Sequence, residues 1–256
     1  NYETEPSYNG IGNPGDYVFT GWSPMPENIT ADTDCYAQYQ FVGTYFRQYL
    51  TDTLVAYTDT MGLTAIGDYA FAGLTNLRSV SMPSLLSLPN SMFKGATSLE
   101  TVNFPAALAT NSEVFTQSTV MEVLTLPEVS ILNSTNLVNS MSALKELRLP
   151  KNTSSLATAI VMCNALELLD IGVTGTVGQV LSGSYFRNLR YLIARNASAV
   201  ATPAGSTIFN ASSPIAKGTG KILVPRAMVE SYKADSNWGR YSAVIEAIED
   251  NPDICG

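Results

Sequence analysis

The residue types that most often carry enzymatic chemistry are scarce in this chain. There is no histidine, which removes Ser-His-Asp triads, Cys-His pairs and the imidazole most often used for proton transfer near neutral pH. The three cysteines are Cys35, Cys163 and Cys255. An odd and widely spaced set favours neither a disulfide framework nor a zinc site. We predict that Cys163 is a small buried hydrophobe and that Cys255 is an exposed thiol.

Carboxylates are the remaining candidates for acid–base or metal chemistry. Six acids and no base precede Arg47, but they lack the close alternating spacing of a calcium loop. Further along, Glu146, Glu167 and Asp170 come nearest to a carboxylate pair, and the solvated face of a sheet explains them better. The sequence therefore predicts no catalytic residue, no cofactor and no metal site, and we expect the protein not to be an enzyme.

Charge and hydropathy exclude two further classes of partner. The formal net charge of −8 argues against a nucleic acid, because phosphate binding depends on Lys and Arg. No apolar run approaches the roughly 18 residues that span a bilayer, so we predict no membrane-spanning segment. The chain starts without a basic and then apolar leader, and we expect a secreted protein whose export signal has been removed.

The strongest pattern is an internal repeat. Its phrase, as in Leu77 to Pro83, is a large apolar residue, two variable residues, an apolar residue, one variable residue and an apolar residue, often followed by Pro. Copies start at residues 77, 99, 121, 144, 166 and 189, which are 22, 22, 23, 22 and 23 residues apart, and a last copy spans 222–225. Phe71, Phe93 and Phe115 each stand six residues before the phrase. A fixed period of this length indicates a solenoid.

Each copy predicts one structural unit of the solenoid. Its apolar-x-apolar part has a period of two, so it is a short strand with alternate side chains buried, and the Pro ends that strand. The Phe segment upstream is expected to form a helical or 3₁₀ turn behind the strand. Stacked units bury a continuous core. We therefore predict an α/β solenoid of about seven irregular repeats with a parallel sheet on one face.

The segment Ile66 to Leu77, followed by the strand phrase, resembles the BspA-like leucine-rich repeat of bacterial surface proteins. The resemblance covers roughly residues 60–225. It is strong in the first two repeats and decayed in the fifth and sixth, where Gly172 and Arg195 replace the Pro. It implies an irregular leucine-rich-repeat solenoid on a secreted or cell-surface bacterial protein.

The two ends differ from the repeats. Residues 15–24 and 30–39 alternate as strands do and resemble the last part of an internalin-type B-repeat. Pro225–Tyr232 and Tyr241–Ile248 are predicted as two short helices, and Trp238, Val244 and Ile248 are expected to cover the last repeat. The predicted organisation is a partial B-repeat-like β segment (1–42), a linker and N-terminal cap (43–63), the solenoid (64–225), and a helical cap and tail (226–256).

Leucine-rich solenoids usually bind through the sheet face and its adjoining loops. The predicted register turns an apolar group of the fifth and sixth repeats outward, with charged residues beside it. The candidate ligand-contact residues are Glu146, Arg148, Leu168, Asp170, Arg190, Tyr191 and Ile193. Three large outward apolar groups resemble an interface, although the repeats here are irregular enough to tuck the same side chains under a neighbouring loop.

The predicted function is a non-catalytic binding or adhesion module at the cell surface or outside the cell. The partner is an unidentified host or bacterial surface protein, or a glycan. The alternative is a passive structural spacer or virion-tail component, for which we would expect a sheet face without a ligand.

Overall fold

The computed structural model describes the backbone of residues 17–23, 36–41 and 176–177, and both backbone and side chains of residues 47, 50–132, 136–151, 159–172, 186–203 and 208–255. Its strands, in chain order, are β1 (Tyr17–Ser23), β2 (Tyr36–Phe41), β3 (Ala56–Thr58), β4 (Ser79–Ser81), β5 (Ser87–Leu88), β6 (Thr101–Asn103), β7 (Ala109–Thr110), β8 (Val123–Thr125), β9 (Ile131–Leu132), β10 (Val138–Asn139), β11 (Glu146–Leu149), β12 (Ile160–Val161), β13 (Leu168–Ile171), β14 (Thr176–Val177), β15 (Tyr191–Ala194), β16 (Thr202–Pro203), β17 (Lys221–Val224) and β18 (Ile245–Ala247). The α-helices described are α1 (Val229–Ala234) and α2 (Pro252–Cys255).

Every copy of the repeat phrase forms a strand, and these strands pair in parallel. One sheet has the order β3-β4-β6, and a second has the order β18-β17-β15-β13-β11-β8. Each residue pairs with the residue one repeat later, so that Ser79 lies beside Thr101 and Glu146 beside Leu168. The structure is a parallel β-solenoid of about seven turns, which confirms the predicted repeat architecture and its register.

Short strands outside the repeat phrase, which the sequence did not predict, also pair between successive turns of the solenoid. These strands form separate parallel sheets in the orders β5-β7-β9, β10-β12 and β14-β16. In the first of them Ser87 pairs with Ala109 and Ala109 with Ile131. They add hydrogen-bonded contacts between successive turns, away from the two sheets of repeat strands.

The segments around the phenylalanines are turns, so the predicted helical or 3₁₀ elements are wrong there. Their backbone N–H groups donate to the next turn of the solenoid: Phe71 to the carbonyl oxygen of Met92 (2.9 Å) and Phe93 to that of Val114 (2.8 Å). Tyr69 and Ser91 adopt φ of 60° and 53°. A helix would need the same N–H groups for bonds within its own segment, and they cannot serve both.

The phenylalanines themselves form the centre of the core, as predicted. Phe71, Phe93 and Phe115 are fully buried. Their ring centroids are 5.4 Å and 5.2 Å apart in successive pairs, with interplanar angles of 9° and 15°. Such stacked pairs contribute about 0.5–1.5 kcal/mol beyond the area they bury. The stack therefore fixes one turn of the solenoid above the next.

The C-terminal end of the solenoid is closed by a cap around Trp238. Its indole Nε1 donates to the carbonyl oxygen of Ala201 (2.7 Å), and the amide of Ala201 donates to the Tyr232 hydroxyl (3.0 Å). Both rings are fully buried, and Phe209 packs edge-on against Trp238. This arrangement confirms the predicted capping role of the tryptophan.

The second helix predicted over Tyr241–Ile248 is wrong. A 3₁₀ segment occupies Gly239–Val244, and the chain then extends as β18, which pairs in parallel with β17. Ile245 and Ala247 are buried on either side of half-buried Glu246. The period of two in this segment adds one more strand to the sheet, because edge pairing satisfies backbone groups that a short isolated helix would leave open.

At the N-terminal end, the two predicted strands are present as β1 and β2. They pair antiparallel, with an irregularity between Phe19 and Gly21. Residues 24–35 lie outside the described residues, and so do residues 43–46 and 48–49 of the predicted linker and N-terminal cap over 43–63. The likeness to a B-repeat and the four predicted boundaries therefore stay predictions. Of the segment 43–63, β3 joins the solenoid sheet, and Leu50 and Leu54 pack against the core.

Candidate functional site

The structure brings the predicted contact residues together on the outer face of three neighbouring strands. Glu146 of β11 lies beside Leu168 of β13, which lies beside Tyr191 of β15. The next outward row consists of Arg148, Asp170 and Ile193. Arg190 directly precedes β15 and is exposed. The grouping of these residues follows from the parallel register, because a residue two positions along a strand points to the same side of the sheet.

Two of the apolar residues that were predicted to face solvent are buried. Leu168 is 5% exposed and Ile193 is fully buried, and together with Leu223 and Cys255 they form a small apolar group, here called the outer cluster. Residues 248–255, here called the C-terminal strap, cover this group, with Ile248 and Ile254 packed against it. The outward apolar positions therefore find their partner within the same chain, which hides apolar surface that would otherwise face water.

Asp170 is also buried beneath the strap, and its charge is compensated. Its side chain is 2% exposed and receives two hydrogen bonds from Arg195, Nε to Oδ1 at 2.7 Å and Nη2 to Oδ2 at 2.8 Å. Arg148 Nη1 stands 3.6 Å from the same carboxylate. The hydrogen bond to Asp170 raises the pKa of the Arg195 guanidinium. A buried carboxylate needs such a bidentate partner, because an unpaired buried charge is strongly unfavourable.

The same two arginines hold the strap in place. Arg148 donates from both Nη1 and Nη2 to the carbonyl oxygen of Ile254 (3.3 Å each), and Arg195 Nη2 donates to that of Cys255. Arg195 was missed as a functional residue. Its signal was present in the sequence, since a base stands there in place of the Pro that ends most repeat strands.

A second set of polar contacts fixes the start of the strap. Lys221 Nζ donates to Glu246 Oε2 (2.8 Å) and to Asn251 Oδ1 (2.9 Å). Asn251 Nδ2 donates to the same Glu246 oxygen (3.1 Å) and to the carbonyl oxygen of Ala247 (2.9 Å). The strap is thus attached at both ends, by Asn251 near its start and by the two arginines at its end.

Beside the strap the outer face remains open as a cleft of about 220 Å³. Its walls combine charged side chains with the edge of the outer cluster. They are Lys145, Glu146, Arg148, Glu167, Leu168, Tyr191, Asp253 and Ile254. Four of the seven predicted contact residues line it, whereas Asp170, Ile193 and Arg190 do not. Tyr191 is half-buried, which leaves part of its ring available to a ligand.

The two described cysteines are buried. Cys255 is 4% exposed, so its prediction as an exposed thiol is wrong, because the outer cluster includes it. Cys163 is fully buried, as predicted. Burial raises the pKa of the Cys163 thiol to about 11 and also raises that of Cys255. Neither thiol is activated as a nucleophile.

Metal-ligating groups and membrane-spanning helices are both absent from the described ranges. Within these ranges no group of three or more His, Cys, Asp or Glu side chains is placed to hold a metal ion. In the same part of the chain, no helix is both long and apolar enough to span a bilayer.

Comparison with solved structures finds leucine-rich repeat proteins of bacteria. A T. pallidum leucine-rich repeat protein is 17% identical with a TM-score of 0.47, over 60% of this chain and 71% of that one. The pneumococcal vaccine antigen PcpA is 15% identical with a TM-score of 0.45, over 75% of this chain and 41% of that one. A leucine-rich cell surface protein of Faecalibacterium prausnitzii is 14% identical with a TM-score of 0.31, over 99% and 98%. No curated protein matches the sequence.

The family of the chain is shown by its repeats. The family model described as the BspA type leucine-rich repeat region matches six copies over residues 48–176, which is half of the 256-residue chain. Within this range the structure has parallel strands spaced by one turn of the solenoid. The protein belongs to the BspA-type leucine-rich repeat family.

Proposed function

We propose that this protein is a non-catalytic binding module of a secreted or surface-attached bacterial protein. The observation that carries the proposal is the cleft beside the C-terminal strap, where half-buried Tyr191 lies on a rigid sheet between charged side chains. Half-buried aromatic residues supply contact area at low entropic cost and are enriched at interfaces. The ligand is a protein or a glycan of a host or bacterial surface.

The ion pairs of two of the three candidate carboxylates, Asp170 and Glu146, support a non-catalytic role. Both oxygens of Asp170 are engaged by Arg195, and Glu146 Oε2 accepts hydrogen bonds from Arg148 (3.1 and 3.2 Å). A general acid or base must be free to exchange a proton with a substrate. These two acids are instead held as ion pairs that shape the face.

The test is binding of the purified chain to an array of matrix proteins and surface glycans, with Tyr191→Ser measured in parallel. Tyr69→Ser is the matched control, because Tyr69 is 53% exposed and lies outside the cleft. A saturable signal that Tyr191→Ser abolishes and Tyr69→Ser keeps is the expected result. If the folded protein binds nothing, or both variants bind as well as the parent, the cleft is not the contact site.

The spacer function remains the second candidate, and the first half of the outer face favours it. The outward residues of β4 and β6 are Ser79, Ser81, Thr101 and Asn103, and Asn103 donates to the Ser81 hydroxyl (3.0 Å). These side chains are small and offer no apolar anchor. A spacer predicts no ligand in the array from a well-folded sample.

A further inference from the structure

We infer that the cleft beside the C-terminal strap takes a cationic side chain, Lys or Arg, of a partner polypeptide. This inference deepens the proposed function and rests on it, since it names the chemistry that the same cleft would recognise. It depends on which charges in the cleft are already paired, on the apolar surface between them and on the size of the space.

The two cations that line the cleft are already paired. Lys145 Nζ lies 2.9 Å from Glu122 Oε2. Arg148 contacts Glu146, Asp170 and the carbonyl oxygen of Ile254. Neither base is free to receive an anion without losing these contacts, and Arg148 would also release the strap.

Two carboxylates of the cleft remain available. Glu167 and Asp253 are exposed, and among the described residues neither side chain has a hydrogen bond or an ion pair. Glu167 belongs to the sheet side of the cleft, because it directly precedes β13. Asp253 belongs to the strap side, because it lies within α2. A cation between them would gain charge-assisted hydrogen bonds from both walls.

The apolar part of the cleft suits the stem of a long basic side chain. Leu168, Tyr191 and Ile254 line it between the charged groups. Lys and Arg bury their methylene stems against apolar surface while the charged head stays at the polar rim. The Tyr191 ring also attracts a cation placed over its face.

The size of the space favours one side chain over a larger ligand. The cleft holds about 220 Å³, whereas sites for drug-sized ligands measure roughly 300–1,000 Å³. The net charge of −8 acts in the same direction at longer range, since it raises the encounter rate with a basic partner. A basic residue exposed on a partner protein therefore fits the cleft in size, shape and charge.

The test uses a fluorescent lysine-rich peptide as the probe, together with the same peptide acetylated on every side-chain amine. Binding is measured by anisotropy at about 0.15 M salt, where charges separated by more than about 8 Å are largely screened. We expect the full chain to bind the lysine peptide, and acetylation to weaken binding about tenfold or more.

The variant Glu167→Gln with Asp253→Asn should lose about tenfold or more in affinity. The control is Glu128→Gln with Glu230→Gln. It also removes two negative charges, but from exposed ion pairs with Lys151 and Lys233 outside the cleft. It should keep the affinity within about twofold. Circular dichroism confirms that each variant is folded.

The outcomes separate this inference from the proposed function. If the chain fails to bind the lysine peptide, if the acetylated peptide binds equally, or if the control pair loses as much as the cleft pair, the inference is overturned. An array ligand that depends on Tyr191 but tolerates Glu167→Gln with Asp253→Asn would also overturn it while leaving the proposed function intact. A glycan whose binding depends on Tyr191 but not on Glu167 and Asp253 would be a result of this kind.

Discussion

The outer faces of the first and second halves of the solenoid have the same backbone arrangement, but the first faces solvent and the second is covered by the C-terminal strap. On β4 and β6 the outward residues are hydroxyls and an amide, each partly or fully exposed. On β13 and β15, Leu168, Asp170 and Ile193 occupy the equivalent positions and are buried beneath the strap. The register is the same in both halves. The difference therefore comes from the outward side chains, which determine whether the sheet faces water or a second layer.

The ion pairs differ between the two halves in the same way. Arg78 and Glu100 pair between neighbouring repeats with side chains 61% and 50% exposed, whereas Asp170 and Arg195 pair with side chains 2% and 29% exposed. Exposed pairs contribute little to stability, but a buried pair becomes costly when one partner is removed. Among the described residues, no ion pair of the first half is buried to the extent of the Asp170–Arg195 pair.

The largest expected effect is that of truncating the outer cluster. Ile193→Ala should lower the free energy of unfolding by about 3 kcal/mol, because it leaves a cavity where a fully buried side chain packs against the strap. Val123→Ala is the matched control, since Val123 is an outward residue of β8 that is 50% exposed. The control should change stability by less than about 0.5 kcal/mol. Urea denaturation of both variants measures the difference, and equal losses would show that the outward positions covered by the strap do not differ from the exposed ones.

The strand register was predictable because few alternatives satisfy the pattern. A period of two within each phrase and a spacing of 22–23 residues between phrases place Val80, Leu124 and Leu147 inside. The Phe turns were predicted wrongly because their hydrogen bonds go to another turn of the solenoid. Phe71 donates to Met92, and a pattern read along one segment does not contain that information.

The site was predicted in part, and for a related reason. The outward positions of Leu168 and Ile193 followed from the period of two, and their burial by another segment of the chain agrees with the alternative that they are tucked under a neighbouring loop. The segment that covers them is the strap, which begins more than 50 residues after Ile193 in the sequence. Ile254 and Cys255 have no periodic neighbours that would assign them to a surface. Only the fold places this tail against the fifth and sixth repeats.

The second prediction compares the two buried thiols, one in each layer. Cys163 lies in the main core, and its pKa of about 11, against an ordinary 9.0, leaves about a hundredfold less thiolate near pH 8. Cys255 is the last residue of the strap and packs into the outer cluster, so local opening of residues 248–255 exposes it without unfolding the solenoid. We expect iodoacetamide to modify Cys255 faster than Cys163 in native buffer.

Peptide mass mapping after timed labelling locates each modification, and labelling in denaturant supplies the unprotected rate of each thiol. Modification of both thiols at one common slow rate would mean that the strap opens only when the whole solenoid unfolds. The two layers would then form a single cooperative unit, contrary to the distinction between them.

The third prediction concerns the buried ion pair. Arg195→Met should cost about 2 kcal/mol, because it removes both hydrogen bonds from the buried carboxylate of Asp170 and one from the strap. Arg78→Met is the control and should cost no more than about 0.5 kcal/mol, since its pair with Glu100 is exposed. Thermal unfolding of both variants tests this expectation. A double variant with Asp170→Asn should recover part of the loss if the uncompensated charge is its cause.

The smallest expected effect is the acid sensitivity of the contact between β17, β18 and the strap. The hydrogen bond from Lys221, assisted by that from Asn251, lowers the pKa of Glu246 below its ordinary 4.5. A lowered folded-state pKa contributes stability above the unfolded value and loses it as the pH falls through the folded value. Because the Glu246 side chain is 40% exposed, we expect this contribution to be about 0.5 kcal/mol.

Glu246→Gln should therefore lower stability at neutral pH and flatten the decline below pH 4.5, whereas Glu230→Gln on α1 should retain the parent profile. Urea midpoints measured across this pH range test both variants, and an unchanged profile for Glu246→Gln would show that this end of the strap does not depend on the charge.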